Sequence, residues 1–201
     1  MQDIRLGYSV QANMMLNDTV LSAMAKAFER TRGDLVDRMM ASLEAAQRAG
    51  GDIRGKQSAA ILVVRAQSSG ELWTDRLVDL RVDDHREPIK ELRRLLNVSR
   101  AYKHMNAGDN AMANNDVETA MKEYDMAIGL AGDNVEMAFW SALTMATKGK
   151  VSQALPIFKK VFLADKNWIE LLKRLPKTGM IPNNKRGRAL LERILNEVTK
   201  P

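Results

Sequence analysis

Gln11 and Asn13 stand two residues apart in "GYSVQANMML" (7–16). On an extended strand that spacing aims both amide side chains the same way. Paired amide donors can hold the oxyanion of an acyl-transfer intermediate; they can equally bond neighbouring loops and helix caps. Farther along, "DLRVDDH" sets Asp79, Arg81 and Asp83 on one strand face, with Asp84 and His85 at its exit. Asp83 and His85 are candidates for acid–base work, and together with Asp84 they offer donors to a divalent ion. The plainer reading of the same residues is a salt-bridged strand edge followed by a capped helix start ahead of Pro88. The chain has two His and no Cys, so a zinc site built from His alone, thiolate ligands and a Cys nucleophile are all excluded. No metal or cofactor motif is identified. "RGKQSAA" places Arg54 and Lys56 beside Gly55, the composition of a phosphate cradle without its spacing. The cluster Lys185-Arg186-Gly187-Arg188 has no interleaved aromatics and no nucleic-acid motif. It reads as a helix-start patch, and no nucleic-acid partner is expected.

Those side chains need elements to position them. The hydrophobic share of 45% and charged share of 28% in 201 residues are those of a globular protein, with room for one large domain or two small ones. The 13 Met and few aromatics suggest helical surfaces packed with flexible side chains. No apolar run is long enough for a membrane span, and the opening residues contain no secretory hydrophobic region. A signal peptide, if the native protein has one, would lie upstream, so the compartment stays open. Charge is uneven: residues 101–150 are net −3 and residues 151–201 net +7.

Alternation in "GYSVQANMML" predicts a strand over 7–16. Asn17 and Asp18 can cap a helix bearing Val20, Leu21, Met24 and Phe28; Gly33 interrupts it, Asp34 caps a second helix, and Gly50-Gly51 ends that one. "SAAILVVRA" (58–66) reads as a strand covered on both faces. "LWTDRLVDLRVDD" (72–84) contains a strand in which Val78, Leu80 and Val82 alternate with Asp79, Arg81 and Asp83. Pro88 opens a helix over 88–98 with Ile89, Leu92, Leu95 and Leu96 on one side. This is an α+β pattern of about three strands and three helices, too little to cover a sheet on both faces.

"GYSVQANMM", "RGKQSAA" before an apolar strand, and "DLRVDDH" before "PIKELRRLL" occur in the order and spacing of one family. Over roughly residues 5–98 the chain resembles domain of unknown function 1028. That resemblance implies a partial αββα layer like that of the N-terminal-nucleophile hydrolases. In that family a further N-terminal half precedes the "GYSVQ" strand, so strand 7–16 is expected to continue a sheet whose first half this chain lacks. Nucleophiles of the fold class are first residues of processed strands; here Met1 precedes Gln2, and Ser9 lies in a strand interior as a structural hydroxyl. The expectation is a domain that does not hydrolyse by itself, with Gln11 and Asn13 as its pocket.

Residues 99–201 carry a repeat. "NNDVETAMKEYDMAIGLAGDN" (114–134) lies over "KGKVSQALPIFKKVFLADKNW" (148–168) at a period of 34, aligning Val117 with Val151, Ala120 with Ala154, Tyr124 with Phe158 and Ala127 with Val161. That is the tetratricopeptide length, with Gly108 as the small residue of the first copy. His104, Ala111 and Ala142 depart from the pattern. Helix 88–98 and "NWIELLKRL" (167–175) are read as caps, and a last helix bears Leu190, Leu191, Ile194, Leu195 and Val198. An all-α tetratricopeptide-like array of this kind implies a protein or peptide partner. The open sheet edge of the first domain makes a homodimer a further expectation. Two functions follow: a hydrolase-like protein with an interaction tail, or a non-enzymatic scaffold.

Overall fold

The computed structural model describes residues 2–5 and 7–198, with side chains placed from Gly7 to Val198. The fold is mixed α and β. The chain divides into two compact units, Met1–Leu96 and Asn97–Pro201.

In the first unit, strands β1 (Gln2–Arg5) and β2 (Tyr8–Gln11) form an antiparallel hairpin, Gln2 opposite Gln11 and Arg5 opposite Tyr8. The strand expected over 7–16 is therefore shorter. It ends at Gln11, and its partner is the segment just upstream. Helices α1 (Thr19–Arg30) and α2 (Leu35–Arg48) follow and pack as a hairpin. At the start of α1 it is Asn17, not Asp18, whose side chain accepts the Thr19 N–H, at 2.9 Å. Asp34 caps α2 as expected, accepting from Asp37 N at 2.8 Å. Between the two helices, the Arg38 guanidinium lies 4.0 Å from the centre of the Phe28 ring and its Nε donates to the Phe28 carbonyl. The Tyr8 ring packs against the same Phe28 ring with centroids 4.6 Å apart, which ties β2 to α1.

Strands β3 (Ala59–Val64) and β4 (Arg76–Val82) make a second antiparallel pair, with a bulge at Val63/Val64. Ile61, Val63, Val78 and Val82 face Val36, Met40, Leu92 and Leu96 in the core of this unit. The expectation that strand 58–66 is covered on both faces is corrected. Leu62 and Val64 remain 55% and 56% exposed, because no described layer lies over the outer face of this pair. Residues 72–75 are also not strand. They form one helical turn, α3 (Leu72–Asp75), because the Asp75 carboxylate accepts from Ser68 Oγ and Ser69 N and folds the "SSGE" turn onto itself.

Helix α4 runs from Pro88 to Ala113 without a break, where the sequence predicted a separate helix ending at 98. Ile89, Leu92, Leu95 and Leu96 pack in the first core; Ala101, Met105 and Met112 belong to the second. No Pro and no cap falls between 97 and 113, so nothing stops the helix.

The second unit is helical among the described residues: the end of α4, then α5 (Val117–Ala131), α6 (Glu136–Thr147), α7 (Val151–Ala164), α8 (Asn167–Arg174) with a 3-10 turn (Leu175–Thr178), and α9 (Lys185–Val198). Its core centres on Phe139, which contacts the rings of Trp140, Phe158 and Trp168. Ala120, Tyr124 and Ala127, and their aligned partners Ala154, Phe158 and Val161, are all fully buried. Gly108 explains its own residue type. A Cβ there would meet the Tyr124 ring at 2.5 Å, so α4 and α5 cross where only glycine fits.

The turn between paired helices repeats bond for bond. Asp116 N donates to Ala111 O at 2.9 Å, and Lys150 N to Met145 O at 2.8 Å. Asn115 N donates to Met112 O, and Gly149 N to Ala146 O. Asn115 and Gly149 both have positive φ, 61° and 89°. Helices α4 and α6 end, and α5 and α7 begin, at positions 34 residues apart.

Replacing Ala120 or Ala154 with Leu is expected to overpack a closed crossing and cost about 1–3 kcal/mol. Urea unfolding followed by Trp emission checks this, since Trp140 and Trp168 sit in this core while Trp73 is exposed in the other unit. An unchanged midpoint in both variants would mean that the crossings are loose.

Candidate functional site

Three distant stretches of the first unit meet around one cleft. The first two are joined by backbone: Leu16 N donates to Gly51 O and Ile53 N to Met14 O, both at 2.9 Å, with Met15 paired to Asp52 in an antiparallel bridge. Asn17 Nδ2 adds a bond to Ala49 O. The clasp depends on backbone that turns the left-handed way, φ 52° at Met14, 122° at Gly50 and 64° at Gly51. Gly50 also has no room for a side chain, since a Cβ would sit 2.9 Å from Leu16 Cδ2. This is why the second helix must end in Gly-Gly.

The third wall is the approach to α4. His85 N donates to Gln57 O at 2.9 Å, and the Lys56 ammonium donates to both Glu87 carboxylate oxygens at 2.7 and 2.8 Å. His85 Nδ1 accepts the Glu87 N–H at 3.0 Å, which leaves the proton of the neutral ring on Nε2. His85 therefore works here as an acceptor at the start of α4. Arg93, two turns on, holds α4 to α2 through Glu44 at 2.8 Å and Asp37 at 3.8 Å.

The resulting cleft has a volume of about 730 Å³ and is lined by Met15, Gln47, the loop from Gly51 to Ser58, Asp84, Pro88 and Ile89. Its charges are mostly paired. Arg54 grips Asp52 through Nε at 2.9 Å and Nη2 at 2.6 Å, and with a further bond from its backbone N–H it holds the Asp52 carboxyl down at about 2. The hydrogen bond from Lys56 likewise lowers Glu87. Asp84 lines the cleft and makes no hydrogen bond or ion pair with another described residue. With both signs of charge, amide groups and an apolar side at Met15 and Ile89, the cleft can receive a small polar ligand. No hydroxyl in it is hydrogen-bonded to a base among the described residues.

Of the residues singled out from sequence, Gln11 points outward from β2 and lines a separate groove with Tyr8, Met24, Phe28, Met39 and Ile61. Asn13 lies past the end of β2 in an exposed bend beside Met14 and Asp18. The two amides thus do not share a strand, because β2 ends at Gln11 and the chain bends at Asn13 and Met14 on its way to the clasp. Asp83 is exposed just beyond β4 and does not line the cleft, whereas Asp84 does. Among the described residues no three His, Cys, Asp or Glu side chains gather as a metal site needs. Among the described residues no helix is long and apolar enough to cross a membrane. Gln47, Asp52 and Gln57 carry no catalytic pattern in the sequence, and only the Gly50-Gly51 turn signals that their region is brought back to the first strand.

Residues 2–92 match a family of unknown function, DUF1028. The matched segment contains the clasp and every residue that lines the cleft, and each of the three stretches that carry the resemblance contributes to the lining: Met15, residues 54–58, and Asp84 with Pro88 and Ile89. No curated protein and no solved structure matches the chain.

Both lowered carboxyls belong to exposed pairs, and the sign of their pH effect is fixed. Each pairing contributes fully above the ordinary carboxylate value and is lost as pH falls through the folded one, for Asp52 between 3.8 and about 2. Carboxyl NMR titration of Arg54→Gln is expected to return Asp52 toward 3.8, leaving Glu87 lowered. An Asp52 that still titrates near 2 in this variant would show that Arg54 is not what holds it.

Proposed function

We propose that this is an interaction protein whose helical unit is a tetratricopeptide-like array that takes a protein or peptide partner. One observation carries the reading. The interhelix turn recurs hydrogen bond for hydrogen bond, with positive φ at Asn115 and again at Gly149. A repeated turn stacks helix pairs with a constant rotation, and such stacks present extended binding faces. Helix α8 is short and passes into a 3-10 turn, and α9 follows it; together they act as the closing cap. The test is a displayed peptide library selected on the full chain, with hydrogen exchange to locate bound peptides. Protection is expected on α5–α9. Protection confined to the 51–58 loop and 84–89 would place the binding function in the cleft instead.

A second reading concerns the DUF1028 segment. The convergence of its three motifs on one cleft, and the exposed outer face at Leu62 and Val64, support part of an N-terminal-nucleophile-hydrolase-like layer. Catalysis in that class needs a nucleophile, an α-amino base and an oxyanion pocket in one geometry. Gln11 and Asn13 line different grooves here, which gives no support to a pocket built from the two as a pair. The full chain is expected to leave amide and ester substrates unhydrolysed. Turnover that disappears in Asp83→Ala or His85→Ala would overturn this, by putting chemistry at the exit of β4.

A further inference from the structure

The helical unit contains a second, differently built groove. It lies between the end of α6 with the turn into α7 and the first two turns of α9, and has a volume of about 480 Å³. Ala146, Val151, Ala189 and Leu190 give it an apolar floor. Along α9, Arg186, Ala189, Leu190 and Arg193 fall at i, i+3, i+4 and i+7, so two guanidiniums flank an apolar stripe on one helix face.

Two features set this groove apart from an ordinary solvated surface. The first is charge. No Asp or Glu lines it, and neither Arg186 nor Arg193 makes an ion pair with another described residue. Lys148 and Lys150 stand exposed in the adjoining turn. The second is placement. Lys185, Arg186 and Arg188 occupy the first turn of α9, which has no acidic residue, although the helix dipole disfavours cations there. The start of α9 is also held rigidly. Asn184 Oδ1 accepts the Gly187 N–H at 3.0 Å, and Gly187 approaches Pro182 so closely that a Cβ would overlap its carbonyl oxygen. An anionic group in the groove would answer the unpaired guanidiniums and the unfavourable helix end together.

We propose that the groove between the α6–α7 turn and α9 binds an acidic peptide segment, with carboxylates at Arg186 and Arg193 and an apolar side chain over Ala189 and Leu190. The proposal rests on the interaction-module reading and names the chemistry of its partner. Charge complementarity carries it, and the apolar floor selects a peptide over a nucleic acid. No aromatic side chain lines the groove to stack a base.

The test uses the full chain and three labelled probes: a short peptide of Glu, Ala and Leu, its counterpart with Lys in place of Glu, and a single-stranded RNA oligomer. Fluorescence anisotropy is expected to show binding of the acidic peptide alone, weakening with salt. Arg186→Glu with Arg193→Glu should weaken it by about tenfold, whereas Lys159→Glu with Lys160→Glu, the same change of charge on α7, should not. Arg186→Gln with Arg193→Gln gives a smaller loss without reversing the charge, and circular dichroism confirms that all variants are folded. Equal binding to the Arg186/Arg193 variants, with hydrogen-exchange protection elsewhere on α5–α9, would overturn the groove and leave the interaction module standing. No peptide binding by any surface would remove both readings. RNA binding lost in the same Arg variants would replace the peptide with a nucleic acid.

Discussion

The first unit depends on a backbone clasp, the two hydrogen bonds that tie Met14 and Leu16 to Ile53 and Gly51. Two helices leave from one side of this clasp and return to the other, so α1 and α2 are held as a hairpin at both ends. Backbone donors and acceptors outside helices and strands still take partners, and here the chain finds them in its own distant segment. The cost is local conformation. Three residues adopt left-handed backbone, two of them glycine, and Met14 is the exception. Once the clasp is formed, the 51–58 loop leads on to β3, and the cleft has two of its three walls.

The helical unit rests on a different constraint. It has no clasp; it uses the same turn twice, and the period of the turn sets the period of the packing. Asn115 tolerates the left-handed conformation because its short polar side chain suits it, and Gly149 because it has no side chain. The crossings then accept small residues only. Gly108 beneath the Tyr124 ring and Ala142 in the corresponding place beside Phe158 show one solution at two sizes, the smaller residue beneath the ring with a hydroxyl. That hydroxyl is used, since Tyr124 donates it to Asp109 at 2.8 Å, and burial with this bond pushes its acidity well out of reach.

How much was legible in the sequence follows from the range of each signal. The repeat, the Asp34 cap, the Gly-Gly stop and the Val78/Leu80/Val82 alternation are local patterns, and the residues stand where those patterns put them. Strand lengths were not legible, because a strand ends where its partner does. Tyr8–Gln11 pairs residue for residue with Gln2–Arg5, a register that the alternation of its own side chains does not specify. Nor was the exposure of Leu62 and Val64, because an apolar run looks the same whether or not a layer covers it. The pairing of Gln11 with Asn13 presumed a strand through 13, whereas β2 ends at Gln11 and Asn13 lies in the bend that follows. Asp52 and Gln57 could not be found by type at all. They matter through position, which only the clasp and the His85–Gln57 bond create.

The cleft of the first unit and the groove beside α9 differ in what a ligand must displace. In the cleft of the first unit, Arg54 already holds Asp52 and Lys56 already holds Glu87, so a charged ligand trades one partner for another. Exposed pairs of this kind contribute little to stability, and the exchange is close to neutral. Such a site gains selectivity from shape and from Asp84, its unpaired carboxylate, more than from net charge. At the start of α9 nothing needs exchanging. The guanidiniums face water, the helix dipole adds to their field, and the nearest partner is whatever arrives from solution. Such a field is open to an anionic group from solution without the loss of an existing ion pair. That difference, between charges already answered and charges left open, is what separates the proposed acidic-peptide groove from the cleft of the first unit.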